Sequence, residues 1–149
     1  MSDMEVRSLG LMSPKGAGKT SLIEAMLFNA KVINRLGKVV DGNTTSDNDP
    51  EEIERHMSLF PTVCTFEYAK KRVHVMDTAG YPDFLIETKQ VIKAVDNALM
   101  IVSAADGVKS QAVKMWNYLV EQGIPSSIFI NEMDKDLANY EAAWDSLRK

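Results

Sequence analysis

The chain has 149 residues, of which 45% are apolar and 26% are charged, a composition typical of one globular domain, residues 1–149, and not of a disordered segment. The net charge of −4 leaves no basic stripe, so composition gives no reason to predict nucleic-acid binding. The single cysteine, Cys64, excludes an internal disulfide, and the sequence lacks a signal-peptide pattern and a membrane-spanning apolar run. We therefore predict a cytoplasmic protein without a membrane partner.

The first third of the chain predicts a strand, a glycine-rich loop and a helix. Residues 6–12 have the composition of a short strand, and residues 13–18 form the loop. Apolar residues then recur at helical spacing and predict a helix over residues 19–29. Residues 37–55 carry no apolar period. A loop of this length is usually functional or disordered, and its place after the glycine-rich loop favours a function.

The middle of the chain predicts a β-hairpin at one edge of a sheet. Its two strands cover residues 59–68 and 72–76, and the chain reverses at residues 69–71. Pro61 lies in the first of these strands and has no N–H to donate to a neighbouring strand. We therefore expect that strand at the edge of the sheet.

Helices and strands alternate from there to the end of the sequence. The predicted elements are a helix marked by Leu85, Val91, Ile92 and Val95, an apolar strand at 98–102, a helix at 112–120, a strand at 127–130 and a helix at 140–147. This alternation predicts an α/β fold with a mostly parallel sheet. Right-handed crossovers in such a fold place ligand sites at the carboxyl ends of the strands.

The strongest local signal is the segment Ser13-Pro14-Lys15-Gly16-Ala17-Gly18-Lys19-Thr20, which approximates the phosphate loop G-x-x-x-x-G-K-[ST] with a serine at the first glycine. Its glycines let backbone N–H groups turn toward one anion, and the helix that follows directs its positive end to the same point. The Lys19 ammonium can reach the β- and γ-phosphates, and the Thr20 hydroxyl can ligate Mg²⁺. The alternative is a glycine-rich turn with an exposed lysine. The predicted nucleotide contacts in this segment are Lys15, Gly16, Ala17, Gly18, Lys19, Thr20 and Ser21.

Two further motifs follow the ends of predicted strands. In Asp77-Thr78-Ala79-Gly80, the carboxylate can hold Mg²⁺ and the Gly80 N–H can meet a γ-phosphate, although the motif is weak by itself. In Asn131-Glu132-Met133-Asp134, the Asp134 carboxylate can accept two hydrogen bonds from the N1–H and N2–H₂ edge of guanine, which adenine does not offer. The alternative for this second motif is a solvated strand-to-helix turn.

These three motifs, in this order, resemble the GTP-binding (G) domain of translation-factor GTPases, in particular the N-terminal region of elongation factor G and elongation-factor-G-like paralogues. The segment from Asp77 to Phe84 is similar to that family's DTPGHxDF, and the segment from Glu54 to Ser58 is similar to its ERGIT switch segment. The resemblance implies a P-loop NTPase G-domain fold, with one antiparallel edge strand and helices on both faces of the sheet. It also implies GTP or GDP and Mg²⁺ as ligands, GTP hydrolysis that drives ribosomal translocation, and the ribosome as partner of the full-length protein.

The resemblance assigns roles to individual residues. The residues implied in hydrolysis are Lys19, Gly80 and Tyr81, those implied as Mg²⁺ ligands are Thr20, Ser58 and Asp77, and the base-side residues are Asn131 and Asp134. Tyr81 stands where the family usually carries a catalytic His, and Glu132 replaces the Lys of N-K-x-D. The negative charge of Glu132 predicts weaker nucleotide affinity than is usual in the family, and Tyr81 cannot supply an imidazole for hydrolysis. Both residues leave open a degenerate guanine-nucleotide-binding module with little or no hydrolysis. A third interpretation, an ATP-dependent P-loop kinase or ATPase, is disfavoured by Asp134.

The length of the chain bears on the completeness of this domain. G domains of the family are longer and have a further strand, so we expect a domain that is incomplete at the C-terminus. That strand would pair with the strand around Ile128. We therefore expect an open apolar edge at Ile128 and, with it, self-association.

Overall fold

A computed structural model describes residues 4–46, 61–78 and 85–148 of the chain. Its strands are β1 (Glu5–Met12), β2 (Thr62–Tyr68), β3 (Lys71–Asp77), β4 (Asn97–Ser103) and β5 (Ser126–Asn131). Its α-helices are α1 (Lys19–Asn29), α2 (Leu85–Ile92), α3 (Ser110–Glu121) and α4 (Tyr140–Leu147), with a 3₁₀ turn at Val39–Asp41. Among the described residues, no helix has the length and apolarity needed to cross a membrane.

The five strands form one sheet in the order β2-β3-β1-β4-β5. Strand β1 pairs in parallel with both β3 and β4, and β4 pairs in parallel with β5. Only the pair of β2 with β3 is antiparallel among the strands described. The prediction of a mostly parallel sheet with one antiparallel edge strand is confirmed, and the parallel pairing brings the carboxyl ends of β1, β3, β4 and β5 to one edge.

The edge strand β2 is in the predicted place, but the prediction that Pro61 lies within it is wrong. Strand β2 begins at Thr62, so Pro61 precedes the strand instead of lying within it. The hairpin turn consists of Ala69 and Lys70, whose φ angles are 49° and 62°, and Lys71 already belongs to β3. Two consecutive positive φ angles are typical of the turn whose twist matches that of the two flanking strands.

Helices pack on both faces of the sheet, as predicted, because successive residues of a strand point to opposite sides. Leu11 and Met12 of β1 therefore enter different apolar clusters. The cluster on the α1 face consists of Leu11, Ala17, Ile23, Leu27, Cys64, Val75 and Ile101. The cluster beneath α2 and α3 consists of Met12, Val91, Ile92, Val95, Ala98, Met100, Val102, Ala112, Met115 and Leu119.

The end of α2 and the edge strand β5 can both be compared with the sequence prediction. The α2 helix ends at Ile92, so Val95 was wrongly assigned to it; Val95 is buried because the turn after the helix packs into the core. Strand β5 forms the other edge of the sheet, where Ile128 and Phe129 are each 39% exposed. Among the described strands none pairs with the outer side of β5, so the expected open apolar edge is observed there, whereas self-association stays a prediction.

Candidate functional site

The loop between β1 and α1 has two glycines in left-handed conformations. The φ angle is 83° at Gly16 and 87° at Gly18, a region that residues with a Cβ rarely adopt. A Cβ atom on Gly18 would lie 2.3 Å from Nδ2 of Asn131, whereas a Cβ on Gly16 would meet nothing within 4 Å. Gly16 is therefore needed for its backbone angle alone, and Gly18 both for its angle and for the close approach of Asn131.

Helix α1 begins directly after this loop and leads with two polar side chains that are buried. Gly18 is the N-cap, and no side chain within the described part of the chain caps the helix. A helix start of this kind, at the end of a strand, offers backbone N–H groups and a positive dipole end to an anion. Lys19 and Thr20 form the first turn and are both buried, so a lysine charge is placed inside the loop.

The Lys19 side chain folds back over the loop toward Ser13. Its Nζ lies 3.1 Å from Oγ of Ser13 and 3.4 Å from the Ser13 carbonyl oxygen. The Ser13 hydroxyl in turn donates to the carbonyl oxygen of Pro14 at 2.8 Å. The serine at the first glycine position of the motif is thus fully buried and takes part in the loop's own hydrogen bonding.

Strand β3 brings a carboxylate to the start of α1. Asp77 ends β3, is fully buried, and accepts a hydrogen bond at 3.2 Å from the hydroxyl of Thr20, which lies 57 residues earlier. The next residue, Thr78, donates its hydroxyl to the carbonyl oxygen of Leu11 at 2.7 Å and so ties the end of β3 to β1. The predicted proximity of Asp77 to the glycine-rich loop is observed.

The Thr20 and Asp77 oxygens suit a small, hard cation. Within the described residues, no three His, Cys, Asp or Glu side chains gather into a metal site. Mg²⁺, however, is commonly bound through one or two protein oxygens, with water and substrate phosphates supplying the remaining ligands. A hydroxyl and a carboxylate beside a helix start that attracts phosphate therefore fit Mg²⁺ bound together with a nucleotide.

The end of strand β5 contacts the glycine-rich loop. The Nδ2 of Asn131, the last residue of β5, donates to the carbonyl oxygen of Ala17 at 2.9 Å across 114 residues of sequence. Asp134 lies three residues later in an exposed turn that follows the carboxyl end of β5. The third motif is thus joined to the glycine-rich loop by a direct hydrogen bond.

The remaining predicted residues fall into two groups. Lys15 and Gly16 are exposed at the tip of the loop, and Ser21 is exposed on the first turn of α1. The last three predicted residues, Ser58, Gly80 and Tyr81, lie outside the described residues.

A buried carboxylate on α1, which the sequence motifs do not indicate, fixes the polar segment after this helix. Glu24 is almost completely buried, and its two oxygens accept hydrogen bonds from the backbone N–H groups of Gly37, at 2.9 Å, and of Thr45. The signal for it is present in the sequence, because Glu24 lies between Ile23 and Leu27 on the apolar face of α1, where an acid needs a partner.

Comparison with known proteins agrees with this geometry. Residues 4–149 match the family model of the elongation factor Tu GTP binding domain. The chain is 38% identical over 138 residues to an elongation factor G-like protein of Mycobacterium tuberculosis, covering 93% of this chain and 19% of that protein. It is 34% identical over 147 residues to a mitochondrial ribosome-releasing factor 2 of Culex quinquefasciatus, covering 99% of this chain and 20% of that protein.

Solved structures show the same fold. The crystal structure of ttk003000868 from Thermus thermophilus superposes with a TM-score of 0.91 and 32% identity, over 97% of this chain and 22% of that one. A bacterial selenocysteine-specific elongation factor superposes with a TM-score of 0.76 at 18% identity, over 97% of this chain and 22% of that one, a likeness of fold alone. The chain spans about a fifth of the length of the curated relatives it matches. Its motifs, sheet order and relatives agree, and the chain belongs to the family of the elongation factor Tu GTP binding domain.

Proposed function

We propose that the chain is the GTP-binding switch domain of an elongation-factor-G-like protein, which binds and hydrolyses GTP with Mg²⁺ to drive ribosomal translocation. The observation that carries the proposal is the bond from Asn131 to the Ala17 carbonyl oxygen, which joins the guanine-type motif to the phosphate-type loop. The ribosome is the proposed partner of the longer protein to which such a domain belongs. A cytoplasmic location stays a prediction.

Phosphate binding is assigned to the loop and the start of α1. The N–H groups around Gly18 and the Lys19 ammonium provide positive charge in a buried place, where it stabilises an anion more strongly than in water. Thr20 and Asp77 would hold Mg²⁺, which supplies charge neutralisation on the β- and γ-phosphates when bound. The chain's own part is to position the phosphates and to exclude water around them.

Base selection is assigned to Asp134. Its carboxylate accepts hydrogen bonds from the N1–H and N2–H₂ edge of guanine, and adenine would leave part of it without a donor. The hydrogen bond of Asn131 to the loop supports this assignment, because it would hold the turn at a set distance from phosphates bound by the loop. A site built on such hydrogen bonds rejects a base that lacks them, so preference for guanine is expected to be strong.

A titration with labelled GDP and GTP, with Mg²⁺ present and ATP as competitor, tests nucleotide binding. We expect saturable binding of both guanine nucleotides and a preference over ATP on the order of 100-fold or more. Asp134→Asn is expected to abolish most of that preference, because an amide has only one acceptor oxygen. Asp136→Asn, in the same exposed turn, is the matched control and is expected to bind as the unchanged chain does. Equal competition by ATP would exclude the guanine assignment and favour an ATP-dependent P-loop enzyme.

The second candidate, a degenerate guanine-nucleotide module, is favoured by the residues that replace the family's His and Lys, namely Tyr81 and Glu132. Single-turnover hydrolysis measured with and without ribosomes separates the two candidates. If hydrolysis is limited at residue 81, Tyr81→His is expected to raise the rate by about 100-fold, the usual contribution of a positioned acid–base group. Tyr68→His, at the exposed far end of β2, is the control. GTP binding without hydrolysis, both in the unchanged chain and in Tyr81→His, would support the degenerate module.

A further inference from the structure

Glu132 occupies an unusual position in the candidate nucleotide site. It follows Asn131, whose amide is bonded to the glycine-rich loop, and its φ angle is 62°. A residue with a side chain rarely adopts this left-handed conformation and usually does so where the surrounding structure imposes it. Glu132 is therefore fixed in its backbone directly beside a residue that is bonded to the loop which the proposed function assigns to phosphate.

The two oxygens of the Glu132 carboxylate have different surroundings. Its Oε1 lies 2.6 Å from Nζ of Lys135, one turn further along the chain. The Glu132 side chain is only 12% exposed, whereas the Lys135 side chain is 51% exposed. The other oxygen, Oε2, is buried and has no hydrogen-bond partner among the described residues. Lys135 thus provides the ion pair that compensates a largely buried negative charge.

Lys135 also faces two other acids. Its pKa is raised, first by the hydrogen bond to Glu132 and further by the charges of Glu132, Asp106 and Asp134. Asp106 has its own lysine, because its pKa is lowered first by the hydrogen bond from Lys109 and only last by the more distant Lys135. The Glu132 charge therefore depends on Lys135 in a way that the Asp106 charge does not.

We propose that Lys135, outside the N-x-x-D motif, is a positioning residue for nucleotide binding that acts through Glu132. The ion pair orients Glu132 and cancels its charge, so that an anionic nucleotide can occupy the neighbouring loop. This inference rests on the proposed function, and it implies that a cation at position 135 compensates the acid that stands in place of the family's lysine. Without Lys135, the charge of Glu132 would repel the phosphates.

Equilibrium titration of the 149-residue chain with Mg²⁺ and labelled GDP tests the proposal. Lys135→Met is expected to weaken GDP binding by about 3- to 5-fold at low ionic strength, the range of a partly exposed ion pair, and by less at high salt. Glu132→Gln in the Lys135→Met background is expected to restore the affinity of Glu132→Gln alone, because no charge is then left to compensate. Lys135→Arg is expected to bind as the unchanged chain does.

The matched control is Lys71→Met. Lys71 is about as exposed as Lys135, and its Nζ lies 2.6 Å from the more exposed carboxylate of Glu5 at the amino ends of β1 and β3, away from the loop. Its GDP affinity is expected to be unchanged. A loss in Lys135→Met that Glu132→Gln does not reverse, or that salt does not reduce, would overturn the proposal in favour of a structural role. An unchanged GDP affinity in Lys135→Met would overturn it as well, whereas absence of GDP binding in the unchanged chain would refute the proposed function itself.

Discussion

Glu24 offers the most direct test of how the polar segment after α1 is held. Its carboxylate accepts backbone N–H bonds from Gly37 and Thr45, and so anchors this segment to the helix at two points. Glu24→Gln keeps the shape but replaces one acceptor oxygen by an NH₂ group, which cannot accept a hydrogen bond. One backbone N–H is then left facing another donor in a buried place.

The size of the effect follows from these two bonds. A hydrogen bond to a charged group contributes about 1.5–3 kcal/mol, and a buried donor without an acceptor costs about 1–3 kcal/mol. We therefore expect Glu24→Gln to lower the free energy of unfolding by about 2 kcal/mol. Glu24→Ala loses both bonds and is expected to lower it by about 3–5 kcal/mol, a large share of the stability of a typical domain.

Two measurements check this prediction. Urea unfolding gives the free energy, and amide hydrogen exchange reports the Gly37 and Thr45 N–H groups individually. Glu67→Gln is the control, because Glu67 is exposed on β2 and its loose contact with Arg72, at 3.7 Å, is expected to contribute less than about 0.5 kcal/mol. The reasoning is refuted if Glu24→Gln costs no more than this control, or if exchange at both amides is unchanged.

Three other substitutions test the glycine-rich loop and the opposite end of the sheet. Gly18→Ala is expected to weaken GDP binding by more than about 10-fold, because the new Cβ would lie 2.3 Å from Nδ2 of Asn131. Gly16→Ala has open space around its Cβ. It is therefore expected to cost only the backbone strain, about 1–2 kcal/mol of the free energy of unfolding measured by thermal unfolding. Equal losses of GDP affinity in the two alanine variants would contradict this prediction. Hydrogen bonds from the Ser8 backbone N–H and hydroxyl lower the pKa of Asp96 in the folded chain. The stability that these bonds add is therefore fully present above the unfolded-state pKa of Asp96, and it disappears as the pH falls through the lower folded-state pKa. Ser8→Ala removes the bond that the hydroxyl donates to the Asp96 carboxylate and the bond that it accepts from the Asp96 N–H. It is therefore expected to destabilise the chain at neutral pH, and the part of the deficit in urea unfolding that comes from the carboxylate disappears as Asp96 becomes protonated. A deficit independent of pH would count against this prediction.

Short-range patterns were sufficient for most of the secondary structure. Helix α1 has the predicted bounds because glycines precede it and apolar residues repeat along it at helical spacing. The continuous apolar run of β4 predicted its burial on both faces for the same kind of reason. The phosphate-type loop was also recognisable, since its glycines and lysine lie within a few residues of one another. All these features depend on backbone preference and on neighbours along the chain.

Contacts between distant residues required the assembled fold. The bond from Asn131 to the Ala17 carbonyl oxygen spans 114 residues, and the bonds of Glu24 join a helix to a segment that has no apolar period. Val95 is similar, because it is buried by packing against the core after its helix has ended. A linear pattern records which side chains are apolar or charged, but which partner reaches a buried N–H or carboxylate depends on how the strands and loops pack in three dimensions.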